Sequence, residues 1–520
     1  MRNSLVALAA LACPAALIAQ QTPAPRHVHA PGNPILADGD YYSTDPAPVV
    51  AGDTLYILAG RDEAPPGVND FIMNEWQLLA TKDPASGDWL HYPAIARPHE
   101  VFAWAAPGRA YAGQIVEGAD GRFYLYAPVL EANTTAKDGF AIGVAVADDP
   151  AGPWRDAHPS GPIVSQRVPV PNDIQNIDPT VLVDDDGRVF LYWGTFGRLR
   201  GMELERDMIT PKGPEVPIEG AKGFFEAPWL MKRKGIYYLL YAANNAGPDS
   251  PCTPAVYHAC IAYATAPAPL GPWTYRGVIL KPVSSTTSHP GAVAFKGQWY
   301  LAYHTADAKG GGHFRRSVAI DKLEWDDSKS PPAIRQVVPT RRPQPAPVPT
   351  RNIAGAATAA ASNTPIPVQY WIKALNDGVV PAAPLPPDMW GNWSRDIPAH
   401  PWIEYRWAEP VTLDGARLWF WADHPAGAGE GVAPPAGWRL DYWDGGWKPV
   451  PDPSGYGTAV DAPQEVRFTP VTTRCVRVVF DASHAGGSNA GVAVTEWQML
   501  APRPALPKPP PGNPPPPCDE

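Results

Sequence analysis

The chain has 520 residues, 67 of them Pro and 46 Gly, and 45% are hydrophobic, including 20 Trp, 20 Tyr and 13 Phe. Proline interrupts helix interiors and both residues mark turns, which excludes a mainly helical fold, while the aromatic supply excludes a disordered chain. A net charge of −10 without any long basic run argues against nucleic acid as a partner.

In chain order, Met1-Arg2-Asn3 is a charged start followed by an apolar stretch from Leu5 to Ala19. This is the pattern of an export signal cleaved after Ala19. It is short for a membrane span, which takes about 20 residues, so residues 1–19 predict a secreted or periplasmic protein with no membrane span. Removing them leaves Cys252, Cys260, Cys475 and Cys518, which permit three pairings. Cys252 and Cys260 lie close in one loop and are expected to pair, leaving Cys475 and Cys518 to tie the tail to a strand. The spacing fits no zinc site.

A pattern then recurs five times: a polar lead residue, often Pro, a short apolar run, a Gly turn and an aromatic strand. The copies begin at Asp45-Pro46-Ala47, Gln114-Ile115-Val116, Asp178-Pro179-Thr180, Glu226-Ala227-Pro228 and His289-Pro290-Gly291. Each reads as a β-hairpin. A second motif closes several units: Lys82-Asp83-Pro84, Gly152-Pro153-Trp154 and Gly271-Pro272-Trp273. Repeats of this kind, with about four strands each, signify a β-propeller. Five copies predict five blades over residues 28–345.

The first strand of each blade lies nearest the axis, so Asp45, Gln114, Asp178, Glu226 and His289 are expected to converge on one end of the channel. Paired carboxylates on opposite sides of a sugar perform glycoside hydrolysis, one as acid and one as base. A third carboxylate raises the acid's pKa, because like charges disfavour ionisation. An Asp before Pro also serves as a turn residue, and that reading stands beside the catalytic one for Asp45 and Asp178 taken singly. Glu226 lies between Phe225 and Ala227-Pro228-Trp229, where an unpaired carboxylate is costly. The equivalent place of all three in the repeats favours the catalytic reading.

Asn33-Pro34-Ile35-Leu36 with Thr44-Asp45-Pro46, then Ile177-Asp178-Pro179-Thr180 with Asp184-Asp185-Asp186-Gly187 and Leu191-Tyr192-Trp193-Gly194, then Phe225-Glu226-Ala227-Pro228, resemble glycoside hydrolase family 43. The resemblance implies a five-bladed propeller that hydrolyses arabinose- or xylose-containing polysaccharides of plant type with inversion. It implies Asp45 as general base, Asp178 as pKa modulator and Glu226 as general acid. It also implies a substrate-contacting arginine at Arg315, with Arg316 as the alternative since strand alternation turns only one of them inward. His289 would lie near the pocket floor, beside a structural calcium in some members, and no cofactor is required for the chemistry. Trp104 has two readings, a wall for the sugar face or packing between blades, and Gln114 joins the expected substrate-binding set. Three alternatives stand: an endo-arabinanase, a galactose-specific member and a non-catalytic sugar-binding propeller. The course of the loops Phe71–Trp76 and Ala246–His258 separates endo from exo action.

Residues 331–350 are Pro-rich and read as strand ends and a linker. Over residues 353–502, segments such as Trp402-Ile403-Glu404-Tyr405-Arg406-Trp407 and Cys475-Val476-Arg477-Val478-Val479-Phe480 alternate with period two, as half-buried strands do. They predict a β-sandwich, so the fold class is all-β: a five-bladed propeller followed by a sandwich. Ala374-Leu375-Asn376-Asp377-Gly378, Trp390-Gly391-Asn392-Trp393 and Val494-Thr495-Glu496-Trp497-Gln498 resemble discoidin-like jelly-roll domains. A carbohydrate-binding module and a structural buttress are both compatible with that resemblance. Residues 503–520 read as a Pro-rich disordered tail.

Overall fold

The computed structural model describes residues 23–502 except 69, 244–251, 253–258, 342–350, 364–369, 382–383, 386–387, 395, 424–425, 427–430, 461 and 486–487. The expected export signal, the Pro-rich tail and Cys518 lie outside the described residues.

Each predicted hairpin is present as the two inner strands of a blade. They are Thr44–Ala51 with Thr54–Gly60, Gln114–Glu117 with Phe123–Leu130, Thr180–Val183 with Val189–Trp193, Phe224–Arg233 with Ile236–Ala243, and Gly291–Phe295 with Gln298–Thr305. Every pair is antiparallel. Third strands such as Phe140–Ala147 are buried along their whole length, which is why they read as continuous apolar runs instead of alternating. The closing motif turns the third strand into the fourth and drives a tryptophan into the core. Trp154 and Trp273 are buried, Trp273 edge-on to Tyr192.

The five inner strands contact one another in a closed ring, first to second to third to fourth to fifth and back to the first. Among the described residues the blades differ in strand number. The first has five strands, with Arg26–His29 added outside Asp88–Ala96. The fifth has three, where four were expected. The N-terminal segment runs along its outer strand, Ser317–Leu323, in place of the fourth: Ile35 N donates to Val318 O at 2.9 Å, and the Asn33 side chain brackets Ile320 at 2.9 and 3.0 Å. Chain start and last blade thus close the ring non-covalently. Residues 333–337 stay on the propeller, since Ala333–Ile334 pairs with Trp325–Asp326 and Val337 N donates to Ile279 O.

Among the described residues, the C-terminal unit has a hydrogen-bonded sheet of seven strands wrapped on its own core, with a separate short pair, His484–Ala485 with Ser488–Asn489. Its two long strands, Trp402–Trp421 and Gln464–Asp481, pair with each other and shift register between Arg406 and Val411 and between Leu413 and Gly415. The shifts let the first half of Trp402–Trp421 pair with Thr358–Ala361 and the second with Ala493–Leu500. Ile403, Tyr405, Trp407, Val476, Val478 and Phe480 alternate into the core, as the period-two pattern requires. Cys252 and Cys260 are disulfide-bonded to each other. Cys475 is also disulfide-bonded, and its expected partner Cys518 lies outside the described residues.

Candidate active site

Where the inner strands begin, a cavity of about 310 Å³ is lined by Asp45, Asp178, Glu226 and His289. Four of the five lead residues therefore meet as expected. Gln114 does not line it. Its amide oxygen accepts the Val181 N–H at 2.6 Å and its Nε2 donates to Val181 O at 3.4 Å, so it stitches the second blade to the third.

The local backbone explains how the carboxylates point inward. Asp45, Asp178 and Ala227 have φ of 53°, 56° and 58°, and each precedes a proline. The left-handed region is costly for residues with a Cβ, and a following proline narrows the choice further. Asp45 and Ala227 lie at the break where the inner hairpin loses regular register, between Thr44 and Ala47 in the first blade and between Glu226 and Trp229 in the fourth, while Asp178 stands two residues before the strand Thr180–Val183. Such bulges re-aim side chains beside active sites. They also correct the repeat alignment. Glu226 pairs with Ala242 as Thr44 pairs with Gly60, so Ala227, not Glu226, is the register equivalent of Asp45. Asp45 and Glu226 both reach the pocket, the fourth blade placing its carboxylate one residue before the position equivalent to Asp45. The Ala227 N–H donates to Asp178 Oδ2 at 3.1 Å, tying the third blade's carboxylate to the fourth blade's bulge.

The three carboxyls sit in different fields. Burial works to raise Asp45, but Arg316, His304 and His289 outweigh it and hold the carboxylate well below its usual range. Arg316 Nη1 donates to Asp45 Oδ1 at 3.1 Å, the Thr44 hydroxyl donates to the same oxygen at 3.0 Å, and the Asp45 N–H donates to His304 Nδ1 at 3.2 Å. Burial, then the charge on Asp45, pushes Glu226 up to about 7 against a hydrogen bond from Thr195 and the charge of Arg316. Thr195 Oγ1 donates to Glu226 Oε2 at 3.1 Å. Burial and the charges of Glu226 and Asp45 also push Asp178 well up. One pocket thus holds a carboxylate pushed far down beside two carboxyls pushed up, Glu226 to about 7, the separation that acid–base chemistry needs.

Arg315 is corrected to Arg316. Arg315 is turned away and donates to Gly310 O at 2.7 Å. Arg316 is buried in the pocket wall, gripped by both oxygens of buried Asp62 at 2.9 and 3.0 Å and lying 4.8 Å from the Phe71 ring centre. Trp104 is absent from the cavity lining. It packs on Phe102 and against the Gly143 strand, the inter-blade reading. His289 faces the cavity with Nδ1 3.9 Å from Asp45 Oδ1, and burial pushes its pKa down to about 4. Calcium finds no ligand set in these side chains. His289 brings one imidazole beside the Arg316 cation, Asp45 is committed to its own partners, and among the described residues no three His, Cys, Asp or Glu side chains converge to hold an ion.

Several lining residues carried no repeat signal. Phe71, Met73, Tyr111 and Phe140 come from connections and outer strands. Thr195 and Phe196 follow Leu191-Tyr192-Trp193-Gly194 directly, and that adjacency is the one sequence signal that pointed to them.

With this geometry in view, comparison with known proteins is specific. The family model "Glycosyl hydrolases family 43" matches residues 31–331. A xylosidase/arabinosidase of Bacteroides ovatus is 30% identical over 341 residues, 56% of this chain and 94% of its own. An arabinoxylan arabinofuranohydrolase of Bacillus subtilis (strain 168) is 28% identical over 366 residues, 61% of this chain and 66% of its own. A solved β-xylosidase/α-arabinofuranosidase from a compost microbial metagenome, in complex with xylotriose and calcium-free, is 26% identical with a TM-score of 0.49, covering 60% of this chain and 98% of its own. The match spans more than half of the chain, all of it within the propeller that carries the carboxylates, and the protein belongs to family 43 of the glycosyl hydrolases.

Proposed function

We propose that the protein is an exported, inverting exo-glycosidase that removes terminal α-L-arabinofuranosyl or β-xylosyl residues from plant-type hemicellulose. The observation that carries the reading is the charge division inside one small pocket: Asp45 ionised beside Arg316, and Glu226 raised to about 7. Glu226 gives its proton to the glycosidic oxygen as the C1–O bond breaks. Asp45 takes a proton from water as the water oxygen bonds to C1 from the opposite face. The leaving sugar departs as an alcohol and the released sugar carries the new hydroxyl, so atoms and charge balance. Asp178, itself pushed up by burial and by the charges of Glu226 and Asp45, is assigned the modulator role.

The sugar class rests on the relatives' names and exo action on pocket size. A cavity of about 310 Å³ is at the small end of ligand sites, roughly 300–1,000 Å³. Phe71 lines the pocket on one side, and most of Ala246–His258 lies outside the described residues. Export is supported by the N-terminal pattern and by the Cys252–Cys260 disulfide, since such bonds persist in oxidising compartments. The C-terminal unit is read as a discoidin-like domain from its sequence motifs and its wrapped sheet.

The test pairs an aryl arabinofuranoside with an aryl xyloside and repeats both with Glu226→Ala. The wild type should release aryl alcohol from at least one, and the first-formed sugar should have the inverted anomeric configuration. Glu226→Ala should abolish hydrolysis of natural oligosaccharides and spare part of the turnover on the activated aryl glycosides, whose leaving groups need no proton. Unchanged activity on natural oligosaccharides would remove Glu226 from the acid role.

A further inference from the structure

The acid side of the pocket carries a feature that the chemistry above does not use. Phe196 lines the cavity yet is 67% exposed. A single exposed aromatic needs no explanation by itself, but this one also has φ of 51°. That conformation is costly for a residue with a Cβ, and such strain clusters at ligand contacts. The surrounding chain enforces it. Gly194, at φ 131°, has no room for a Cβ, which would stand 2.1 Å from Arg198 O, and the Gly197 N–H is anchored on Phe225 O at 3.0 Å. The Phe196 ring meets Phe225 edge-on, centroids 5.5 Å apart at 85°. Thr195, the residue before, holds Glu226, and Phe225 is the residue before Glu226. Two aromatics are therefore built onto the two chain segments that position the acid.

We propose that Phe196, backed by Phe225, is the platform on which the departing half of the substrate stacks, and that this half is a pyranose ring presenting its C–H face. The inference rests on the acid role of Glu226. A general acid must touch the leaving oxygen, so the leaving sugar lies on the Glu226 side of the pocket, and there the wall is an exposed aromatic face instead of a charged one. An edge-on contact covers at most one face of the Phe196 ring, which stays 67% exposed, and burying a sugar's C–H face against the open one removes apolar area from water. The platform acts on the leaving group alone and does not contribute to recognition of the ring held between Asp45 and Glu226.

The experiment compares Phe196→Ala and Phe196→Tyr with the wild type on two substrate sets. The first has a sugar leaving group: xylobiose and an arabinofuranosyl-substituted xylotriose. The second has none: xylosyl and arabinofuranosyl fluorides. Phe196→Ala should lower kcat/KM on the first set by ~3–10-fold, the size of one aromatic contact, chiefly through KM. It should leave the fluorides within about twofold, and Phe196→Tyr should restore the first set. Equal losses on both sets would show a structural role and overturn the platform. So would unchanged kinetics on the first set. A wild type inactive on both fluorides and both oligosaccharides would instead overturn the sugar assignment of the whole pocket, and the platform with it.

Discussion

At the scale of single residues, the site is an arrangement of one cation among three carboxyls. Arg316 favours the charged form of Asp45, Asp178 and Glu226 alike, but it touches only Asp45 and is aimed by Asp62. The pH dependence follows with its sign. Glu226 works protonated and its pKa is raised to about 7, so kcat/KM should hold through mildly acidic pH and fall as pH rises through about 7. Asp45 works ionised and is held far down, so it imposes no acid limb near its ordinary range. His289, pushed down to about 4, is neutral near pH 7 and does not supply the alkaline limb. Arg316→Met should shift the alkaline limb to higher pH and bring an acid limb into the measurable range, with kcat/KM at pH 6 reduced by roughly 100-fold, about 3 kcal/mol. An unmoved pH profile in Arg316→Met would show that the cation does not set the carboxyl pKa values. Much of this was legible in the sequence, because the carboxylates announce themselves through Asp-Pro and Glu-Ala-Pro at recurring places. The choice between Arg315 and Arg316 was not, since alternation offers two faces without saying which one meets the axis.

At the scale of strands and bulges, the repeat reading found every inner hairpin, because a Gly turn between two apolar runs has few other solutions. It misjudged the register of one. A period-two pattern carries no trace of a left-handed residue, so Glu226 and Asp45 looked equivalent although Ala227 holds the matching backbone position. Trp104 was ambiguous for a related reason, since an aromatic serves a core and a sugar equally well until its neighbours are known. Gln114 was placed in the pocket because its repeat position is right. Its amide, however, reaches Val181 on the third blade, whose N–H would otherwise be buried without a partner. Gln114→Leu keeps the bulk and removes the acceptor. It should cost about 1–3 kcal/mol of stability, read as a lower denaturation midpoint, while KM and the pH profile stay at wild-type values. A raised KM with unchanged stability would return Gln114 to the substrate.

At the scale of the molecule, the chain builds two cores that share no residue among those described. The propeller clusters are formed by residues up to Val337, and the C-terminal clusters begin at Ile353. The N-terminal segment does what the missing strand of the fifth blade would do. Asn33, which also donates to Asp321 Oδ2 at 3.1 Å and Thr340 Oγ1 at 3.0 Å, ties the chain start to both the last blade and the segment leaving it. This closure was invisible in sequence because its partners stand nearly 300 positions apart. Proline and glycine, so abundant in the composition, are the turn chemistry that lets many short strands close a ring. Separate cores imply separate cooperative units. Calorimetry of the full chain should therefore resolve two transitions. Leu418, fully buried in the C-terminal core, tests their independence. Leu418→Ala should lower one transition by the equivalent of ~2–5 kcal/mol, leave the other in place and leave kcat on an aryl glycoside unchanged. A single transition that moves as a whole would mean that the two cores unfold as one, and that the C-terminal unit contributes to the stability of the catalytic ring.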